Sequence, residues 1–88
     1  VRIRIRGKYW QLVYDSHLPK DCDGLCDAPD LDKKRIRIRS TLTEQTELET
    51  LIHECLHAAF WDADEYAISE TSCDIAKVLW KLGYKREK

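Results

Sequence analysis

Residues Leu51–Asp74 read LIHECLHAAFWDADEYAISETSCD. Two apolar-periodic runs flank the short polar break WDAD, so the stretch reads as two helices joined by a tight turn. Leu48, Leu51, Ile52, Cys55, Leu56 and Ala59 form one stripe at helical period. Ser40, Thr41 and Thr43 offer N-caps before it, and Thr46 with Glu49 has capping-box spacing. The second helix is expected from about Glu65 to Leu82, with Ile68, Ile75, Val78, Leu79 and Leu82 as its stripe and Gly83 as its stop.

Upstream, VRIRIR alternates strictly, the mark of a half-buried strand. Gly7-Lys8 is a turn signal, and YWQLVYD is rich in strand formers, so the two runs read as a hairpin. SHLPKDCDGLCDAPDLDKK is read as one long loop. RIRIR at Arg35–Arg39 is a third strand. The expectation is a single α+β domain over 1–88. Residues 1–39 would form a small antiparallel three-stranded sheet, packed on an antiparallel two-helix hairpin over 40–88.

The chain has 88 residues and a formal net charge of −1, so global charge does not argue for a nucleic-acid or membrane partner. No apolar run approaches a membrane span and the first residues lack a signal-peptide core, which gives a cytoplasmic expectation. The chain has no Met, which suggests a processed or trimmed product. Its charges are segregated. From Ser40 to Asp74 there is no Lys or Arg, although Glu44, Glu54, Asp62, Glu65 and Glu70 lie there. A dication would find that block favourable.

His53 and His57 stand at i and i+4, so both imidazoles leave one helix face a turn apart. Two ring nitrogens at that spacing can share one tetrahedral zinc. Glu54 lies about 100° around the helix, placed to meet a water rather than bind the ion. A third ligand is expected from the facing helix. With the turn centred near Ala63 and Asp64, His57 comes level with Glu70 and His53 with Asp74. Glu70 is then the expected ligand and Asp74 the acceptor that orients a ligand histidine, with Glu65 as the alternative ligand nearer the hairpin tip.

HECLH at 53–57, followed on the next helix by ETSCD at 70–74, resembles the gluzincin pattern of thermolysin-like zinc metallopeptidases. The short chain is similar to the minimal zincins of phage and bacterial genomes. The resemblance covers Leu48 to about Tyr84. It implies one Zn²⁺ per chain held by His53, His57 and Glu70, with Glu54 as general base, Asp74 behind a ligand histidine, and a peptide or protein substrate. The chain departs from full-size gluzincins in lacking their second subdomain.

The alternative is a non-catalytic zinc-stabilised module whose arginine-rich sheet face binds nucleic acid or a partner protein. Arg2, Arg4, Arg6, Arg35, Arg37 and Arg39 would form that face. Without interleaved aromatics, nucleic acid is the less favoured partner, and a solvated face that resists edge-to-edge association is the plainer explanation. Cys22, Cys26, Cys55 and Cys73 do not pair into a ribbon-type zinc site and are expected as reduced thiols.

Overall fold

The computed structural model describes residues 1–87. Its elements are β1 (Arg2–Ile5), β2 (Lys8–Asp15), β3 (Gly24–Cys26), β4 (Arg35–Arg39), α1 (Glu44–Ala59) and α2 (Glu65–Lys81). The α+β class and the two-helix hairpin follow the expectation. The sheet does not: it is four-stranded and mixed, in the order β1-β2-β4-β3.

Two features account for the difference. The long loop contains β3, a strand too short to show an alternating pattern. In addition, β2 and β4 are parallel, with Leu12 opposite Ile36 and Tyr14 opposite Ile38. The chain leaves β2, turns back as β3 two strand positions away, then returns as β4 in the gap. β3 and β4 are antiparallel, Gly24 opposite Ile38 and Cys26 opposite Ile36. β4 is therefore interior and β3 is an edge.

Specific hydrogen bonds order this loop. The Arg39 guanidinium donates to the carbonyls of Leu18, Pro19 and Cys22. The Arg35 amide donates to the Asp27 carboxylate at 2.8 Å, and the Trp10 indole N–H donates to the Asp27 carbonyl at 3.1 Å. The hairpin turn lies at Arg6-Gly7, one residue earlier than expected, with φ of 48° and 80°. That is the type I′ pattern, which suits the twist of a two-residue hairpin but strains a non-glycine residue. Arg6 recovers stability through its side chain, which donates to the Ala59 carbonyl at 2.8 Å and lies over the Phe60 ring. Arg6 and Arg39 are thus structural ties rather than members of a free arginine face.

The inner sheet face carries Trp10, Ile36 and Ile38, which with Ala58 of α1 form the fully buried core. α1 starts at Thr43, whose side chain accepts from the Thr46 amide. Its deepest line is Glu47, Thr50, Glu54 and Ala58, while the apolar stripe is half-buried because α1 lies between the sheet and α2. α2 packs on α1 alone among the elements. Its buried line is Ile68, Ser72 and Ala76, and the small side chains of Ser72 and Ala76 allow close approach. Ile75, Val78 and Leu82, expected in the core, are exposed because α2 meets no second layer. Gly83 ends α2 as expected, with φ of 83° and the Tyr84 amide donating back to the Leu79 carbonyl. No helix among the described residues is long and apolar enough to cross a membrane.

All four cysteines are free. Burial, with the Glu54 carboxylate as the next cause, pushes the Cys26 thiol up to about 12. Cys26 should therefore stay a thiol at pH ~8 and be alkylated by iodoacetamide far more slowly in the native chain than in the urea-unfolded chain.

Gly24 brings the backbone of β3 close against α1. A Cβ there would lie 2.8 Å from Thr50 Cγ2 and 2.9 Å from Glu54 Cγ. Gly24→Ala should lower stability by about 1–3 kcal/mol in urea unfolding, the usual range for overpacking. An unchanged midpoint would show that β3 can move away from α1 at no cost.

Candidate metal centre

His53 and His57 share the face of α1 that meets α2. Their rings stand 4.7 Å apart between centroids at 65°, with the two Nε2 atoms 3.0 Å apart. The third group at this point is Glu65. One carboxylate oxygen lies 3.1 Å from His53 Nε2 and the other 2.8 Å from His57 Nε2.

Neutral imidazoles that bring ring nitrogens together must place a proton or a cation between them. Ligand atoms ~2.0–2.2 Å from a tetrahedral ion lie about 3.4 Å from one another, close to the spacings seen here. Two imidazole nitrogens and a carboxylate are also a donor set suited to a borderline cation. His53, His57 and Glu65 can therefore hold a metal ion. The histidines are about four-fifths buried and Glu65 is 65% exposed, so the group opens to solvent on the side of the α2 N-terminus.

Glu65 is in place because Asp64 caps α2, its carboxylate accepting from the Ala67 amide at 3.0 Å. Glu65 then becomes the first residue of the helix, on the same face as Ser72 seven residues later. Glu70 and Asp74 lie elsewhere. At about 100° per residue, each falls roughly 160° around α2 from Ser72, on the side away from α1. Both are exposed, and neither belongs to the cluster found among the described residues. Matching level along two helices does not fix rotation about the helix axis.

Ser72 occupies the position expected for Asp74. It is fully buried, its hydroxyl lies 3.4 Å from His53 Nδ1, and it donates to the Ser69 carbonyl at 3.1 Å. A proton on Nδ1 directed at Ser72 leaves Nε2 free as an acceptor toward the centre. Sequence reasoning missed Ser72. The available signal was the pair of small residues Ser72 and Ala76 in line with Ile68, which share a face with Glu65.

Glu54 is 7% exposed and packs against the backbone of β3 at Gly24. Burial, then the neighbouring Glu65 carboxylate, raises its carboxyl to about 7. A cleft of about 390 Å³ lies between the Asp21–Gly24 segment and the face of α1 that carries Thr50, His53 and Glu54. His53 of the centre and the buried Glu54 carboxyl line this cleft, whereas His57 and Glu65 lie outside it, and Gly24 of the edge strand β3 forms part of its wall. Comparison with protein-family models, curated proteins and solved structures finds no match.

Glu65→Gln should weaken divalent-metal binding by an order of magnitude or more, as expected for loss of a ligand, whereas Glu70→Gln should leave it within twofold. Competition titration with a chromogenic chelator measures both. The reverse ranking would mean that α2 rotates about its axis when the ion binds.

Proposed function

We propose that this chain is a minimal zinc-dependent metallopeptidase. The observation that carries the reading is the convergence of His53 Nε2, His57 Nε2 and both Glu65 oxygens on one point, beside a buried glutamate and an open groove. HECLH retains its resemblance to the metallopeptidase pattern, and the third ligand is Glu65 instead of Glu70. Zinc is favoured because two imidazoles and one carboxylate match the donor set of catalytic zinc sites. No fourth His, Cys, Asp or Glu joins the cluster among the described residues, in keeping with a catalytic rather than a closed structural site.

His53, His57 and Glu65 would hold the zinc, which would supply Lewis acidity for a water molecule and a peptide carbonyl. The chain's own groups do the rest. Ser72 holds His53 in the tautomer whose Nε2 faces the centre. Glu54 takes a proton from the attacking water on its carboxylate and returns it to the leaving amine nitrogen. An extended peptide enters the groove and adds to β3. β4 is paired on both sides and offers no such edge.

Glu54→Gln keeps the size of the side chain but removes its capacity as a base. Zinc content and fold should persist while peptide hydrolysis falls by roughly two to four orders of magnitude. Peptide-library cleavage by the zinc-loaded chain, with Glu54→Gln in parallel, is the test. Equal cleavage by both proteins would rule out the proposed base. If zinc is retained and no peptide is cleaved, the ion is a staple in a non-catalytic module.

A further inference from the structure

The sheet has a second face that the metal centre does not use. Ile3, Trp10, Leu12, Ile36 and Ile38 point toward α1, so strand alternation turns Arg2, Tyr9, Gln11, Val13, Arg35 and Arg37 the other way. The pairing registers align these outward residues. Arg2 is opposite Gln11, which is opposite Arg35 on its other side, while Arg4 is opposite Tyr9 and Val13 is opposite Arg37. No helix covers this face.

It forms an open concavity of about 1020 Å³, with Arg2, Tyr9, Lys33, Lys34 and Arg35 in its lining and Asp32 as the one acid there. The guanidinium groups of Arg2, Arg35 and Arg37 make no ion pair among the described residues. The Nε of Arg37 is buried without a hydrogen-bond partner. Arg35 and Arg37 are successive outward residues of β4, and Arg2 lies across Gln11 of β2 from Arg35, so this face gathers like charge that calls for a reason. Protection of a sheet edge can account for Arg2 and Arg4 on β1. It cannot account for Arg35 and Arg37, because β4 is an interior strand.

Tyr9 adds a flat surface to the charge. It is 44% exposed, and the Arg2 guanidinium lies 3.7 Å from its ring centroid. Guanidinium groups pair with phosphates in forked geometry, and a guanidinium plane laid over an exposed ring, as Arg2 is over Tyr9, is a stacking platform for a base. A broad sheet face suits unstacked bases, whereas a duplex groove takes a helix or a two-stranded ribbon. An acidic peptide would use the charges but not the ring.

We propose that this outer face binds single-stranded nucleic acid, with phosphates on Arg2, Arg35 and Arg37 and a base stacked against the Arg2–Tyr9 pair. The surface lies on the opposite side of the sheet from α1, so it stands or falls independently of the metal centre. Its basic groups contrast with the block from Ser40 to Asp74, which has no Lys or Arg.

The test is fluorescence anisotropy of the full chain with a labelled oligothymidylate of about 20 nucleotides, long enough for one such site. Between about 50 and 200 mM salt, log K should fall linearly against log salt with a slope near −2, the value for three phosphate contacts on a single strand. Arg2→Gln with Arg35→Gln removes two exposed charges without touching the core. It should weaken binding at least tenfold and reduce the slope by about 1.4. Tyr9→Ala should weaken binding by about fivefold to a hundredfold. Lys77→Gln with Lys81→Gln removes equal charge from α2 and should leave binding unchanged. Circular dichroism checks that each variant is folded. The proposal is overturned by no binding at about 50 mM salt. Equal loss in the α2 control, or tighter binding of a duplex or of polyglutamate than of the single strand, overturns it as well.

Discussion

The contact of β3 with α1 at Gly24 is the constraint on which the rest of this small fold depends. A strand backbone approaches a helix so closely that Thr50 and Glu54 occupy the space of a missing side chain. This contact fixes the middle of the long loop against the sheet, makes β3 the edge strand and buries the Glu54 carboxyl. It also sets the wall of the groove beside His53. Asp27 and Arg39 hold the two sides of the same loop to β4, so the position of Gly24 is determined from both directions.

What could be read from the sequence depended on how local the signal was. α1, the turn and α2 are encoded by contiguous periodicity and caps, and HECLH places His53, Glu54 and His57 correctly on one helix. β3 has three residues, too few to show a period, and its pairing partner is ten or more residues away in sequence. The parallel β2–β4 pairing was hidden for the same reason. Repeated RIRIR runs suggest equivalent strands but do not indicate which neighbour each one takes.

The third carboxylate shows a different limit. Matching levels along two antiparallel helices selects pairs by height alone, and Glu70 satisfied that criterion while lying on the far side of α2. The face was legible only through the small side chains that let α2 approach, Ser72 and Ala76, with Ile68 between them and Glu65. The apolar residues misled because Ile75, Val78 and Leu82 look like a core stripe although they meet solvent. In a helix that packs on one neighbour only, close approach defines the buried face better than hydrophobicity does.

The single attachment of α2 also divides the cluster into parts of unequal permanence. His53 and His57 belong to a helix held on two sides, between sheet and α2. Glu65 and Ser72 belong to the outermost layer, which rests on one neighbour through small contacts. Local opening free energies follow such buttressing, so amide protons of α2 are set to exchange with solvent before those of α1. Each opening removes a carboxylate from one side of the centre and a hydroxyl from behind His53, while the two imidazoles remain in place. An ion that bridges both helices would slow that exchange by binding only the closed form, making the dynamics of the outer helix a direct report on occupancy.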